Sequence, residues 1–299
     1  MISLKQKKKN WLLYLGIASL SLAIFFLVVK GADFIKGSRN FSDLPLGYLL
    51  VLVMLLAPIY EEFVFRGLYT SKRWFRLVSF ILLPVFVLLS DTGILAPILL
   101  VLFGISYFAS LKFEIKYITD ISLLLNIIVF TAVHYKMDEF VDPSLFFFAF
   151  FQFAGGAILL WLILNYGILK AILLHIIWNS TLMIFMLYNL QYPDIDINKY
   201  ENSEIIIEWR RVPKFDDNIS TIREVNEDSL SARNVEARFL FKYLSNQVDK
   251  ENLSNLRILQ TESYMKNDFN ISSKSTGSPV EEPVMNFLIE KELIYLFEK

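Results

Sequence analysis

The stretch APIYEEFVFRGLY, residues Ala57–Tyr69, sets two adjacent glutamates and an arginine in a run that is otherwise apolar enough to enter a bilayer. An ionised side chain at the centre of a spanning helix costs about 2.5 to 3.5 kcal/mol on insertion scales, so such residues are paired, functional or both. On a regular helix residues four apart share a face, while adjacent ones point about 100 degrees apart. Glu62 and Arg66 therefore pair, acid before base, and pairing is how buried ions are made tolerable. Glu61 points elsewhere and is left without a local partner, so the two glutamates are not expected to aim at one site. Pro58, one turn earlier, removes a backbone donor and is placed to open the helix beside them.

The surroundings of this stretch decide the class. Apolar residues make up 55% of the 299, with 27 Phe, and they concentrate before Leu190. Residues 1–190 hold 15 Lys and Arg against 10 Asp and Glu, whereas 191–299 hold 14 against 20, so a charge boundary falls near Tyr192 and Pro193. The chain reads as an α-helical multi-pass membrane bundle, residues 1–190, followed by a small soluble acidic α+β domain, residues 191–299. With no cysteine, disulfides, thiolate metal sites and a cysteine nucleophile are excluded. No P-loop, dinucleotide fingerprint or internal repeat is present, and no nucleic-acid partner is expected.

Apolar runs of spanning or slightly shorter length lie near 11–30, 46–72, 77–90, 94–111, 118–136, 145–164 and 168–190, giving about seven spans. The basic start KQKKKNW before the first run suits a signal peptide, but the length of the run and the absence of a small-residue cleavage site favour an uncleaved span. Lys5 to Lys9, Lys72, Arg73, Arg76, Lys112, Lys116 and Lys170 fall on one side, which makes that side and the N-terminus cytoplasmic. Seven spans then put the C-terminal domain on the opposite side of the cell membrane.

In that domain, SEIIIEWRRVP alternates Ile205, Ile207 and Trp209 on one face and stops at Pro213, which is a half-buried strand. SLSARNVEARFLFKYLSNQ reads as helix. Ser278, Pro279 and Glu281 fit an N-cap, a first-turn proline and a capping-box acid for a terminal helix, with Pro283 awkward in its first turns. No catalytic motif appears here, and binding of another protein is the expected role.

The two histidines of the chain both fall in the membrane portion, His134 in NIIVFTAVHY and His175 in ILLHIIWNS. A single intramembrane histidine usually makes a helix-to-helix hydrogen bond. Two of them beside an unpaired glutamate suggest chemistry. His175 and Asn179 are four apart, so an imidazole and a carboxamide share a face and can donate to a developing oxyanion. Phe130, one turn before His134, can wall off that imidazole.

The segments EEFVFR, FTAVH and HIIWN resemble, in order, the EExxxR, FxxxH and HxxxN signatures of the CAAX protease and bacteriocin-processing family, which includes the type II CAAX prenyl endopeptidases. The resemblance implies a helical membrane bundle acting as a metal-independent, glutamate-dependent intramembrane endopeptidase on a membrane-associated protein or peptide. It implies that Glu61 activates water with the help of His134, that His175 and Asn179 form the oxyanion hole, and that Glu62, Arg66 and Phe130 support them. The 73 residues from Glu61 to His134 are more than a compact member needs, and the apolar hairpin Val78–Lys112 accommodates the surplus.

Three alternatives stay open on the residues. Glu61, His134 and His175 are the right types to bind a divalent ion in a metalloendopeptidase-like site, although no HExxH helix is present. The same groups suit a transporter pathway or a non-cleaving scaffold that binds a peptide. The spans as drawn put Glu61 and His175 nearer the cytoplasmic side than His134, so convergence requires broken or tilted helices.

Overall fold

The computed structural model describes residues 9–30, 44–90, 92–113, 115–135, 146–215, 218–226, 228–248, 256–260, 264–275 and 278–298. Each apolar run coincides with a helix: α1 (Asn10–Lys30), α2 (Leu46–Tyr69), α3 (Arg73–Leu89), α4 (Leu95–Phe113), α5 (Lys116–Ala132), α6 (Phe146–Tyr166) and α7 (Ile168–Asn189). Among the described residues four stretches are long and apolar enough to cross a membrane: α2, α4, α6 from Phe148 onward, and α7. These four do not by themselves reach the expected count of about seven. Helices α3 and α5 have 17 residues each, and the apolar part of α1 is Asn10–Phe26.

By internal contacts the chain divides into two compact units, Met1–Ser38 with Val51–Thr181, and Arg39–Leu50 with Leu182–Lys299. The first unit is helical. In lipid there is little hydrophobic gain from bringing two apolar helices together, so close packing of small residues must hold them. Leu12, Ser19 and Ala23 are buried along α1 with Gly16 among them, a stripe at helical spacing. A methyl group at Gly16 would come within 2.6 Å of the Ile158 side chain and 3.1 Å of the Ala154 carbonyl on α6, so the two backbones approach where only hydrogen fits. Facing the surroundings, Val28 and Leu88 remain exposed, as lipid-facing side chains do.

The second unit carries a five-stranded antiparallel sheet of order β1-β2-β6-β4-β3, where β1 is Asn198–Glu201, β2 Ile205–Val212, β3 Thr221–Asn226, β4 Ser229–Val235 and β6 Lys266–Ser273. A separate antiparallel pair joins β5 (Leu256–Gln260) to β7 (Ile294–Glu298). Helices α8 (Ala237–Gln247) and α9 (Glu281–Glu290) cover one face of the larger sheet. Ile205, Ile207, Leu230 and Phe269 from strands meet Leu240, Phe241 and Phe287 from helices to form its core. Strand β2 follows the alternation read from the sequence, with Ile205 and Ile207 buried and Trp209 packed on Phe287.

Two readings of this region are corrected. The segment expected to be one helix is strand β4 followed by α8, because Leu230 and Ala232 alternate inward and Asn234, left-handed at φ 57°, makes a bulge before the last strand residue, Val235. The terminal helix begins at Glu281 with Val280 before it and no side-chain cap, so Ser278 does not act as the N-cap. Pro283 is tolerated as its third residue, since first-turn N–H groups have no intrahelical partner.

The close approach at Gly16 yields a test of the membrane unit. Replacing Gly16 by Leu should destabilise it by about 1 to 3 kcal/mol through overpacking against α6. Unfolding of the purified protein in detergent, compared with an exposed-site control such as Val28→Leu, measures the effect.

Candidate active site

The segment that carries the two glutamates is not a regular helix. Within α2, residues Leu52–Leu56 and Glu62–Arg66 are π-helical, and Gly67–Tyr69 tighten to a 3-10 turn. Wide turns of this kind occur most often at functional sites, because they redirect side chains and loosen the ladder of backbone hydrogen bonds. At Arg66 the backbone leaves helical geometry, with φ −121° and ψ −8°. Side chains from other helices take up nearby carbonyls. Ser79 on α3 donates to Val64 O at 2.6 Å, and Asn126 on α5 donates to Phe65 O at 2.9 Å. At the earlier π turn, Asn179 on α7 donates to Val53 O at 3.0 Å.

Glu62 and Arg66 form the pair expected from their spacing, with Arg66 Nη1 2.7 Å from Glu62 Oε1 and both side chains fully buried. The guanidinium carbon lies 4.1 Å from the centre of the Phe130 ring, so an aromatic face shares in stabilising the cation. Glu62 also accepts from His175, whose Nδ1 lies 2.8 Å from the same Oε1. An ionised carboxylate only accepts, so this Nδ1 carries the proton.

Glu61 and Glu62 nevertheless meet at one residue, contrary to the expectation that they aim at different places. His175 Nε2 lies 3.8 Å from Glu61 Oε2 while its Nδ1 is held by Glu62. The expectation assumed regular helical steps, whereas here a π turn begins at Glu62 directly after Glu61.

His134 approaches from the other side. Its Nδ1 donates to Phe130 O at 2.6 Å, a carbonyl that can only accept, and its Nε2 lies 3.7 Å from Glu61 Oε1. The two carboxylate oxygens of Glu61 thus each face the Nε2 of a different histidine. His134 thus reaches Glu61 despite the depths expected of them; α5 ends at Ala132, earlier than the span drawn from the sequence, and His134 sits in the turn that follows.

The Phe130 ring is 4.9 Å from the His134 ring and 5.1 Å from the Phe65 ring, measured between centres, and so walls this side of the site. A Cβ at Gly156 would come within 3.0 Å of Phe130, so α6 needs a glycine there to admit the ring. Asn179 commits one N–H to Val53 O and retains a second. All seven residues singled out in the sequence therefore belong to the first unit, and six of them touch one another around Glu61 and Glu62; Asn179 binds the preceding π turn instead. Among the described residues no group of three His, Asp or Glu side chains is arranged to hold a metal ion, which leaves the metalloendopeptidase-like reading without support.

Sequence reasoning missed Ser79, Asn126 and Gly156. Asn126 had a visible signal: Ser122, Asn126, Phe130 and His134 recur every four residues, so the polar face of α5 was already written in its spacing. A test of the buried pair follows. Arg66→Met should cost about 3 to 5 kcal/mol, because it strands a buried carboxylate, and adding Glu62→Gln should recover part of that loss. Thermal unfolding of the single and double variants in detergent reports both effects.

Neither a curated protein nor a solved structure gives a match to this chain. A family model does match, over residues 44–181, and it covers the π-helical segment, both histidines and Asn179. Residues 44–181 are thus similar to the protease family described as type II CAAX prenyl endopeptidase Rce1-like.

Proposed function

We propose that this protein is an intramembrane endopeptidase in which Glu61, aided by His134, activates water for attack on a peptide bond. One observation carries the reading: the Glu61 carboxylate faces Nε2 of His134 at 3.7 Å and Nε2 of His175 at 3.8 Å. These distances are too long for direct hydrogen bonds and suit a shared water. With its Nδ1 committed as a donor to Phe130 O, His134 can turn a lone pair at Nε2 toward that water, so acceptors converge from Glu61 and His134. Water supplies the protons such a set lacks. Its O–H bonds point at the acceptors, and its lone pair is left to attack a carbonyl carbon.

In the attack, the water oxygen bonds to the scissile carbon as its proton passes to Glu61, and the carbonyl π electrons move onto oxygen. That oxyanion is met by the remaining N–H of Asn179 and by an Nε2–H of His175, which takes this second proton from solvent before the attack and returns it after product release, its Nδ1–H staying on Glu62 throughout. Collapse of the intermediate expels the amine, which takes the proton from Glu61. No metal enters this sequence. Glu62 and Arg66 act through His175, by fixing the direction of its ring.

The substrate class is a peptide bond in a membrane-associated protein or peptide, and a prenylated C-terminus of the kind in the family's name is one member of that class. All seven helices α1 to α7 are taken to cross or enter the bilayer, with the N-terminus cytoplasmic and the C-terminal unit on the opposite side. That unit is assigned a binding role toward another protein. A non-cleaving peptide scaffold is the competing reading, since Asn179 is occupied by a backbone carbonyl and so acts as a structural tie.

Glu61→Gln should abolish cleavage while the protein inserts and unfolds like the parent. Comparison of protein termini in membranes of the parent and Glu61→Gln strains is the measurement. An unchanged set of termini would favour the scaffold, and activity that vanished in metal-depleted membranes would replace the mechanism with a metal-assisted one. For topology, reporter fusions should place Lys72–Arg76 in the cytoplasm and positions after Tyr192 outside it. A cytoplasmic reporter there would reduce the number of crossings by one.

A further inference from the structure

The second unit has its own packed core; Val225, Phe239 and Ile289 are exposed singly on its strands and helices, and a group of larger exposure lies close in sequence to the end of α7. Ile195 is 98% exposed and Ile219 83%, and Phe215, Tyr192 and Tyr188 are each about half exposed. Single exposed apolar residues are ordinary, but a group of them marks a surface that water does not normally cover. Hydrogen bonds gather this group around the end of α7. Lys214, beside Phe215, donates its backbone N–H to Leu190 O at 3.0 Å, and the Arg211 guanidinium donates to Asn189 O. Asp194, beside Ile195, donates its backbone N–H to Arg211 O at 3.2 Å. Ile219, Pro193, Ile197 and Pro213 are among the residues that line a cleft of about 790 Å³.

A second tie fixes the same unit to another apolar helix. The Tyr264 hydroxyl donates to Leu44 O at 2.6 Å, two residues before α2 begins. The soluble fold is thus hydrogen-bonded to the start of one spanning helix and to the end of another. Both ties fall at an end of a helix long and apolar enough to cross a membrane.

We propose that the rim formed by Tyr188, Tyr192, Ile195, Phe215 and Ile219 lies in the lipid–water interface and seats the C-terminal unit on the bilayer. Tyrosines at the end of a spanning helix prefer this depth, where the ring meets acyl chain and the hydroxyl meets water. Here the Tyr192 hydroxyl donates to that of Tyr188, so the two rings form one polar-tipped pair. Isoleucine and phenylalanine beside them gain by leaving water. The lining of the adjoining cleft includes Arg210, Arg233, Glu208 and Asp268, with Arg210 paired to Asp268 at 3.6 Å, and so has no net charge. It gives no charge complement to an acidic or a basic peptide, which leaves the apolar rim as the recognising element and lipid as its occupant. This placement is independent of the reaction at Glu61.

The chain contains no cysteine, so single cysteines introduced at Ile195, Ile219 and, as a control on α8, Asn246 can each carry a spin label. The full chain is reconstituted in phosphatidylcholine–phosphatidylglycerol vesicles, and collisions with oxygen, which partitions into lipid, are compared with collisions with a water-soluble nickel chelate. Labels at 195 and 219 should show an oxygen-to-nickel ratio several-fold above that at 246. Equal, nickel-accessible behaviour at all three positions would overturn the proposal. Shielding of 195 and 219 from both reagents would overturn it too, in favour of a protein or peptide covering the rim. Unfolding of each labelled variant, compared with the parent, shows that the exposed substitutions leave the fold intact.

Discussion

The Glu62–Arg66 pair is the constraint around which the first unit is built. Both side chains are fully buried, and removing two charges from water costs several kcal/mol each unless geometry and partners compensate. Compensation comes from three directions: Arg66 faces Glu62 at 2.7 Å, Phe130 offers its ring face to the cation, and His175 donates to the carboxylate. These partners come from α2, α5 and α7, so the pair cannot be satisfied unless three helices are in register. In lipid, where apolar surface confers little preference between helix pairings, a polar requirement of this kind supplies specificity.

The same requirement explains the irregular backbone of α2. A uniform helix would send Glu61 and Glu62 apart, and only one would reach His175. The π turn over Glu62–Arg66 brings both carboxylates to the two nitrogens of one ring, at the cost of carbonyls that the helix serves less well. Ser79 and Asn126 take up two of these, at Val64 and Phe65, and Asn179 takes up one at Val53. Each donor sits in an apolar helix where its side chain would otherwise be a liability. The glycines follow the same logic: Gly156 has no side chain because the Phe130 ring occupies the place, and Gly67 has none because Phe75 O and Ser79 each lie 2.9 Å from where its Cβ would be.

Much of this was legible in the sequence where a simple period governs. All seven apolar runs became helices, and i,i+4 spacing correctly joined Glu62 to Arg66 and Phe130 to His134. It failed where the backbone leaves its period. The direction of Glu61 could not be read because nothing in EEFVFR announces a π turn, and the place of His134 in a turn could not be read because an apolar run does not reveal that its helix stops at Ala132. In the C-terminal unit, strand β2 was readable from two-residue alternation. Strand β4 was not, since SLSARNV places only Leu230 and Ala232 inward before a left-handed Asn234, a signal shorter than the helical pattern that follows it. Strands β5 and β7 pair with each other across 33 residues or more of intervening chain, and no local pattern encodes such a partner.

The two adjacent glutamates end with opposite electrostatic fates, and this difference is what makes the proposed chemistry workable. Glu62 has a cation four residues away and is fixed as a permanent acceptor, which suits it to holding a ring in place and unsuits it to exchanging protons. Glu61 faces two imidazole nitrogens at distances beyond direct hydrogen bonding, so no partner claims its lone pairs outright. A base must be able to accept a proton during the reaction and give it back, and a carboxylate locked in a 2.7 Å ion pair with arginine does neither readily. By satisfying Arg66 with Glu62, the fold frees the neighbouring carboxylate from that duty while keeping it within reach of both histidines. On the proposed mechanism the doubled acid in EEFVFR is therefore one structural charge and one chemical charge, and neither position could take over the other's part without leaving an arginine unpaired or a base immobilised.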